Sequence, residues 1–480
     1  MQKLITKNTF LTATNCLRLG WLAQHGQLPA DDSLDAEFRY MEGTEITECA
    51  RKLFPSGLLI TGLMQKAIIE TSSAIKKTSI LFEPAFSAEG FGSRADILCK
   101  DENGWNLIEV KSGKDAKEKY VEDAAYTAMV LIRAGLKIKT ISLMLVSDDY
   151  RKGMPDKKLF HKEDVTEEVK EQVTKFNSMA DSLATTLNTS KPSDPKLTMN
   201  CKGCSVFDEC TGKGVKNHIL ILPRISAKLL AKLDAECLYK IEDIPPDFDL
   251  SDPQKRVWQA ICTKKPVISP DFKEELKDIV LPAWYLDFET CTTAVPLYDN
   301  IAPYERMVTQ YSIHKCSAPG VEEEHFEYLA DPARDCRRDI AEKLIKILKG
   351  KGSIIVYSTY EQGIINGLAK TFPDLAESLS KLVDRLVDFC DFLRNNYSHK
   401  DFKGSYSIKN VLPVIVPGLD YSDLEIQGGG SAMVLFAYMA KGKITDTAEI
   451  AKIRKNLLAY CKRDTWAMVK LHETLEKLGC

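Results

Sequence analysis

Apolar residues recur at different spacings along the chain, and each spacing predicts a different secondary-structure element. The stretch from residue 80 to residue 113 has short apolar runs separated by the turn sequences "AEGFG" and "DENGW", which predicts a β-meander. The segments "YVEDAAYTAMVLIRAGL" and "EDVTEEVKEQVTKFNSMADSLATTL" repeat their apolar residues at helical spacing, and "IKTISLMLVS" between them predicts a strand. The first part of the chain therefore predicts helices, a meander, and then alternating elements.

The pattern of apolar and polar residues changes again after a polar loop and a group of cysteines. Residues from about 212 to 280 predict short helices with Pro-rich joints such as "IEDIPPDFDLSDPQ". The apolar run "LPAWYLDFET" predicts a buried strand, and strands and helices alternate from there to residue 480. We expect an α/β protein with two domains, 1–215 and 279–480, joined by a helical connector at 216–278.

Composition narrows the class of protein only slightly. Hydrophobic residues make up 44% of the chain and charged residues 28%, which is ordinary for a globular protein. The formal net charge of −3 provides no global basic field, although acidic metal sites can cancel a local basic groove. There is no apolar signal segment after the first lysines and no run of about 18 apolar residues, so we expect a cytoplasmic protein without membrane contact.

Three residues near the end of the predicted meander form a first candidate site. Asp96 begins one strand, and the next strand carries Glu109 and Lys111, which share a face because side chains alternate along a strand. Two carboxylates can hold Mg²⁺ or Mn²⁺, and a lysine beside them can orient or activate water for attack on a phosphodiester. The alternative is an exposed edge strand with a surface Glu–Lys pair.

The pattern AD-x12-EVK formed by these residues resembles the signature of PD-(D/E)XK nucleases. The resemblance is to the RecB-like branch, which includes CRISPR-adaptation nucleases and AddB-type helicase–nuclease subunits. It implies a restriction-endonuclease-like core in which Asp96 and Glu109 bind Mg²⁺ or Mn²⁺ and Lys111 is catalytic.

Two further motifs of that branch are met only in part. The Q-x3-Y motif of the following helix is approximated by Asp123 and Tyr126, so the resemblance makes Tyr126 a candidate substrate contact. Many relatives place a metal-binding His after a glycine on an early helix. No His follows Gly43 here, and Glu45 or Glu48 would have to take its place.

A group of cysteines predicts a second kind of metal centre. The sequence "CKGCSVFDEC" brings Cys201, Cys204 and Cys210 within ten residues, but a tetrahedral or cubane centre needs a fourth donor. Taken alone, the spacing favours zinc as much as iron and sulfur. The RecB-like resemblance implies that Cys16 is the fourth ligand and that the centre is a structural [4Fe–4S] cluster, with zinc as the alternative.

Acidic residues recur in the last region of the chain. Asp287 and Glu289 stand at i and i+2 of "AWYLDFET", so both side chains point to one face of a strand whose apolar flanks predict burial. Burying two carboxylates is costly unless they bind metal. Tyr460 and Asp464 of "LLAYCKRDTWAMV" lie four residues apart and share one helix face. The alternative for that pair is a buried phenol beside a surface acid.

Together these segments resemble a DEDD exonuclease on an RNase H-like fold, of the subtype that ends in Tyr-x3-Asp. The resemblance implies four carboxylates that hold two Mg²⁺ or Mn²⁺ ions, with Tyr460 orienting the attacking water and hydrolysis from the 3′ end. Asp287, Glu289 and Asp464 match the family pattern.

The remaining positions of that pattern are less regular. Glu361, in the first turn after "SIIVYST", occupies a position where the family usually has Asp, and Asp388 is the fallback ligand. Lys409 in "GSYSIKNVLP" is a candidate contact to backbone phosphate, with a solvated lysine as the equal alternative.

The whole order resembles a bacterial family of uncharacterised proteins that join a RecB-like half to such an exonuclease half. We therefore expect a metal-dependent nuclease that hydrolyses phosphodiester bonds, with DNA favoured over RNA as its partner. The alternatives are an RNA 3′–5′ exonuclease and a non-catalytic scaffold that binds nucleic acid. A helicase, repair or defence partner is left unidentified by the sequence.

Overall fold

The alternation of helices and strands is present in the computed structural model, which describes residues 3–479. The chain divides into two units, Met1–Thr211 with Thr293–Glu305 and Gly212–Thr292 with Arg306–Cys480. Both units contain helices and sheets of mixed strand direction, so the α/β class is confirmed at this level. Residues 216–278, expected as a connector, belong to the second unit in this division. No helix within residues 3–479 is long and apolar enough to cross a membrane.

The first unit contains the following elements in chain order: β1 (Ile5–Thr6), α1 (Lys7–Asn15), α2 (Leu17–Gln24), α3 (Leu34–Arg51), β2 (Leu58–Leu59), α4 (Met64–Ala74), β3 (Ile80–Phe82), β4 (Ala85–Ala88), β5 (Phe91–Arg94), β6 (Ile97–Asp101), β7 (Gly104–Val110), α5 (Glu118–Arg133), β8 (Ile138–Val146), β9 (Phe160–Asp164) and α6 (Thr166–Leu187). Short 3₁₀ segments lie at Asp156–Leu159, Met199–Cys201 and Phe207–Glu209. One sheet has the order β2-β3-β6-β7-β8-β9, and a smaller one has the order β1-β5-β4.

The predicted strands of the meander are present, but their pairing is not a simple meander. β3 pairs with β6, and β6 with β7, whereas the hairpin β4–β5 turns at Gly90 and joins β1 in the smaller sheet. Phe91 of that hairpin is 1% exposed and packs on Phe10 of α1. Burial of the hairpin against the N-terminal helix therefore draws it out of the larger sheet.

The central strand β7 is buried on both faces. Leu107 packs in the cluster that contains α5, and Ile108 and Val110 pack in the cluster that contains Ile46 of α3. Glu109 points to the same side as Leu107 and is 0% exposed. This strand lies between a parallel and an antiparallel neighbour, and its residues from Leu107 to Val110 are all buried, including the carboxylate.

The second unit continues with α7 (Ala227–Ala235), α8 (Asp252–Thr263), β10 (Val267–Ile268), α9 (Phe272–Lys277), β11 (Ala283–Cys291), β12 (Met307–Ala318), β13 (Val321–Leu329), α10 (Arg337–Ile347), β14 (Ile354–Val356), α11 (Tyr360–Thr371), α12 (Ala376–Val383), β15 (Leu386–Asp388), α13 (Phe389–Asn396), β16 (Tyr397–Ser398), α14 (Ile408–Ile415), α15 (Gly429–Ala440) and α16 (Thr447–Gly479). Its 3₁₀ segments lie at Ile219–Ile221, Ile241–Asp243, Pro373–Leu375 and Lys400–Phe402. The main sheet has the order β13-β12-β11-β14-β15, and β10 pairs with β16.

The side chains of the middle strand β11 alternate between the two faces of the sheet. Trp284, Leu286 and Phe288 enter the apolar cluster of the unit, together with residues of α10 and α11. Asp287 and Glu289 point to the opposite face, where Asp287 lies beside Cys461 of α16, with 3.5 Å between Oδ2 and Sγ. The predicted buried strand is confirmed. Because its side chains alternate, both carboxylates lie on the face that α16 covers.

At Gly352, just before β14, the backbone lies so close to the segment before β11 that a side chain would not fit. Its φ is +108°, and an added Cβ would lie 2.0 Å from the carbonyl oxygen of Pro282, which precedes β11. Gly350 has a similar φ of +113° but open space around it. We expect Gly352→Ala to lower the free energy of unfolding by about 3 kcal/mol or more through strain and overpacking, and Gly350→Ala by about 1–2 kcal/mol through strain alone. Urea unfolding measures both, and equal losses would show that the close approach has no energetic role.

Candidate functional site

Three carboxylates meet between β11 and α16. One oxygen from each of Asp287, Glu289 and Asp464 lies within 4.8 Å of the other two. Asp464 is 8% exposed, whereas Asp287 and Glu289 are half-buried. Three oxygen donors at this separation are a suitable partial ligand set for a hard divalent cation. The structure thus brings together three of the predicted exonuclease ligands.

Burial, together with repulsion between neighbouring acids, raises the pKa values of this group. Burial and the charges of Asp464 and Glu361 raise the pKa of Glu289 to about 8. Burial, with the charges of Asp464 and Glu289, also raises the pKa of Asp287 well above its ordinary value. Burial raises the pKa of Asp464 less, to about 6, because a hydrogen bond from Tyr421 favours its ionised form.

Two phenols and one lysine surround Asp464. The hydroxyl of Tyr421 donates to Oδ1 of Asp464 at 2.5 Å, and Tyr460 also hydrogen-bonds this carboxylate. The ammonium of Lys409 lies 5.5 Å from the ring centre of Tyr421 and 5.4 Å from that of Tyr460. Lys409 is exposed, donates to the carbonyl of Gln427, and lowers the pKa of Asp464 and Glu289 by its charge. A cation therefore stands at the open edge of the acidic group.

Glu361 and Asp388 occupy different positions relative to this group. Glu361, in the first turn of α11, is 4% exposed, and its charge raises the pKa of Asp287 and Glu289. Burial raises the pKa of Glu361 itself to about 7. Asp388 instead caps α13, with Oδ1 accepting from the backbone N–H of Asp391 at 3.0 Å. The arrangement favours Glu361 over Asp388 as the fourth carboxylate.

A separate charged group in the first unit contains Asp96, Glu109 and Lys111. The backbone N–H of Val110 donates to Oδ2 of Asp96 at 2.7 Å, which ties the two strands together at this point. The ammonium of Lys111 lies 3.5 Å from Oε2 of Glu109. Burial and the charge of Glu109 raise the pKa of Asp96 to about 7. The three predicted residues of this site therefore interact directly.

Lys7, which the sequence does not indicate, and Asp123 of the approximate Q-x3-Y motif complete the charge balance of this site. Lys7 of α1 lies 3.4 Å from Oε2 of Glu109, and Asp123 of α5 accepts from Lys111 at 2.6 Å. Burial raises the pKa of Glu109, but the charges of Lys7 and Lys111 outweigh it, and the net shift is downward. Oε1 of Glu109 is buried without a hydrogen-bond partner, which leaves a carboxylate oxygen available for a cation.

Tyr126 is fully buried in the first unit, whereas Glu45 of α3 is half-buried and Glu48 is exposed. Tyr126 is 0% exposed, and its hydroxyl donates to the carbonyl of Ile5 at 2.6 Å. This placement gives Tyr126 a structural role in anchoring β1 and leaves the predicted substrate contact without support. On α3 the buried acid is Glu42, whose Oε1 accepts from the backbone N–H of Ala294 at 2.6 Å.

The four predicted cysteine ligands line one small cavity of the first unit. Cys16, Cys201, Cys204 and Cys210 all border it, together with the cationic side chains of Arg18 and Lys196. Backbone N–H groups of Leu19 and Thr198 point at the sulfurs of Cys16 and Cys201, at 3.5 Å and 3.4 Å. Burial raises the pKa of the Cys210 thiol, and the neighbouring Cys201 and Cys16 raise it further. Cysteines from two distant segments of the chain therefore border the same cavity.

Sequence signals for the additional residues are weak. Tyr421 stands in the loop "GLDYSD" and Lys7 at the start of α1, and neither belongs to a motif with a fixed spacing to its partner. Asp123 lies within the approximate Q-x3-Y motif, but as the ion-pair partner of Lys111. These residues reach their sites only through tertiary packing.

Comparison with known proteins gives limited information about this chain. Residues 284–407 match a family described as "Domain of unknown function (DUF2779)", a span that includes Asp287, Glu289 and Glu361 and ends before Asp464. "Uncharacterized protein UU173" of Ureaplasma parvum serovar 3 is 27% identical over 218 residues, which cover 40% of this chain and 31% of that protein. The chain thus spans about a third of the length of this relative. A solved structure, "Crystal structure of SSO0001", aligns with 16% identity over 42% of this chain and 96% of that chain, with a TM-score of 0.17, which establishes no shared fold.

The acidic group predicts how stability varies with pH in the absence of divalent cations. Unfolded carboxyls titrate near pH 4, whereas burial raises the pKa of Glu289 to about 8 in the folded state. Between these values the folded state retains protons that the unfolded state has lost, so the free energy of unfolding falls as pH rises. We expect Glu289→Gln to flatten this slope and to stabilise the protein at pH 8 in EDTA by about 1–3 kcal/mol.

Chemical unfolding from pH 5 to pH 8, in EDTA and in Mn²⁺, measures this effect. Mn²⁺ should raise the stability of the unchanged protein at pH 8 more than that of the Glu289→Gln variant. Glu377→Gln is the matched control, because Glu377 is exposed and paired with Lys381. An identical pH slope in the two glutamine variants would refute the electrostatic account of the group.

Proposed function

We propose that this protein is a metal-dependent nuclease that hydrolyses phosphodiester bonds of nucleic acid. The observation that carries the proposal is the meeting of Asp287, Glu289 and Asp464 within 4.8 Å. Glu361 adds a fourth acidic side chain whose charge reaches the group. The order of these residues along the chain, with Tyr460 four residues before Asp464, supports a 3′–5′ exonuclease on an RNase H-like fold.

The donor set fits Mg²⁺ or Mn²⁺. Carboxylate oxygens are the ligands that these ions prefer, and a cation among them would stabilise the ionised forms of Glu289 and Asp464, whose pKa values burial raises to about 8 and about 6. Cations held there would stabilise charge on the scissile phosphate and lower the pKa of the attacking water. Asp287, Glu289, Asp464 and Glu361 are the proposed ligands.

The surrounding side chains of this site have separate roles. The hydrogen bond from Tyr421 fixes the orientation of the Asp464 carboxylate and favours its ionised form. Tyr460 places a second hydroxyl at the same carboxylate, in position to orient a water molecule. Lys409 supplies the cation that attracts a substrate phosphate toward an otherwise acidic surface. Each role depends on contacts within the second unit.

The first unit is proposed as a second, RecB-like site for the same class of reaction. Asp96 and Glu109 are the candidate ligands for Mg²⁺ or Mn²⁺, and the unpartnered Oε1 of Glu109 supports this role. Lys111 is held between Glu109 and Asp123, so its ammonium stays charged beside the carboxylates. A charged lysine in this position orients a nucleophile or stabilises phosphate oxygens rather than accepting a proton.

Labelled single strands provide the direct test of the proposal. With Mn²⁺, we expect stepwise loss of nucleotides from the 3′ end, reduced at least about 100-fold in Asp464→Asn because a metal ligand is lost. Lys111→Ala should leave this stepwise loss intact and remove any cutting that belongs to the first unit. Asp374→Asn and Lys139→Ala are matched controls, because Asp374 pairs with Arg338 and Lys139 with Asp101 at exposed positions.

The same assay separates the alternatives. DNA is the favoured substrate, and faster cleavage of RNA strands would identify an RNA 3′–5′ exonuclease instead. A protein that binds both kinds of strand without divalent cation and cuts neither would be a non-catalytic scaffold. Unchanged cleavage in Asp464→Asn would reject the assignment of the second unit.

We also propose that the four cysteines hold a [4Fe–4S] cluster that is structural. The cavity they line supports this, since N–H groups directed at two sulfurs and the nearby Arg18 and Lys196 stabilise negative charge on thiolates. Such a cluster would join the segment before α2 to the segment after α6. Zinc is the alternative occupant.

Metal analysis of the full chain purified without oxygen tests the cysteine assignment. We expect about four iron and four sulfide per chain, with the broad visible absorption of iron–sulfur clusters, and loss of both in Cys204→Ala. Cys262→Ala, at an exposed cysteine of the second unit, should retain the cluster. About one zinc per chain in place of iron would identify the alternative, and equal metal content in both variants would exclude Cys204 as a ligand.

A further inference from the structure

The face of α16 that points away from Asp464 borders a cavity of about 340 Å³. Lys462 and Trp466 line it and lie two residues before and after Asp464, which is roughly 200° around the helix axis. His314 of β12 and Glu322 of β13 form the opposite wall. The cavity is therefore separate from the acidic group, although both border the same helix.

His314 presents an unused nitrogen in this wall. It is 0% exposed, and its Nδ1 lies 2.8 Å from the hydroxyl oxygen of Thr465. The Thr465 hydroxyl lies 3.1 Å from the carbonyl oxygen of Lys462 and 2.8 Å from the hydroxyl of Ser312. When it donates to that carbonyl, its oxygen accepts from the imidazole N–H at Nδ1. Nε2 then carries a lone pair, and it is buried without a hydrogen-bond partner. Burial lowers the pKa of His314 to about 3, which keeps the ring neutral.

The other side chains of the cavity supply charge and an aromatic surface. The ammonium of Lys462 is exposed, and its charge lowers the pKa of both His314 and His325, so it lies near both rings. The neighbouring Arg463 is held by Asp423 at 2.8 Å and is less available. The half-buried indole of Trp466 lies 5.4 Å from the His314 ring, measured between ring centres.

We propose that this cavity binds a nucleoside monophosphate, with the phosphate on Lys462 and the base against Trp466 donating an N–H to His314. The volume lies within the range of about 300–1,000 Å³ that is typical of small-molecule sites. A flat base can both stack on Trp466 and hydrogen-bond to Nε2 of His314, whereas inorganic phosphate cannot stack on an aromatic ring. Glu322 offers an acceptor for ribose hydroxyls. The choice of ligand rests on the proposed nuclease function, because nucleoside monophosphates are the products of such a reaction.

Binding in EDTA tests this site without requiring cleavage. The full-length protein is titrated calorimetrically with AMP, CMP and inorganic phosphate, and the indole fluorescence is recorded in parallel. We expect a nucleotide to bind with 1:1 stoichiometry and more tightly than phosphate. Lys462→Ala should weaken its binding about tenfold or more, through loss of a charge-assisted contact. Trp466→Leu should remove the fluorescence change.

Two control variants separate the cavity from the acidic group. Lys455→Ala changes an exposed lysine two helical turns earlier on the same face of α16, and Asp464→Asn changes the acidic group; both should bind the nucleotide as the unchanged protein does. The proposal is overturned by absent nucleotide binding at millimolar concentration, by phosphate binding as tightly as the nucleotides, or by loss of binding in Asp464→Asn. None of these results depends on whether the protein cleaves nucleic acid.

Discussion

Repulsion among buried carboxylates is the constraint on which the second unit is organised. Asp287, Glu289 and Asp464 approach within 4.8 Å at half-buried and buried positions, and burial, joined by repulsion at Asp287 and Glu289, raises the pKa of each above that of an exposed acid. The apolar packing of β11 and α16 must supply the free energy that holds them together. A divalent cation bound at the group would replace this repulsion with attraction.

The first unit balances its charge by a different means. Glu109 is more completely buried than any carboxylate of the acidic group, yet its pKa is lowered because Lys7 and Lys111 stand beside it. Cationic side chains of the protein thus partly neutralise the carboxylate of the first unit, whereas burial and nearby acids dominate the pKa of Glu289 in the second unit.

Much of the fold and of the two candidate sites could be predicted from local sequence patterns. The period-two alternation of "AWYLDFET" correctly placed Asp287 and Glu289 on one face, and the four-residue spacing correctly placed Tyr460 beside Asp464. Local patterns failed where a side chain is recruited from a distant segment. Tyr421 reaches Asp464 from a loop and Lys7 reaches Glu109 from the first helix, at sequence separations that no periodicity encodes. The approximate motif around Tyr126 was equally uninformative about the direction of its hydroxyl.

The sequence by itself determined the types of element, the α/β class and the faces on which acidic side chains lie, because these follow from repeats of two and of 3.6 residues. Tertiary structure alone decided which strands pair, since the hairpin of β4 and β5 leaves the larger sheet to bury Phe91 against α1. Tertiary structure also decided the pKa values of the acidic side chains. A carboxylate acquires its pKa from burial and from charges that only packing brings near, so Glu289 and Glu109 shift in opposite directions.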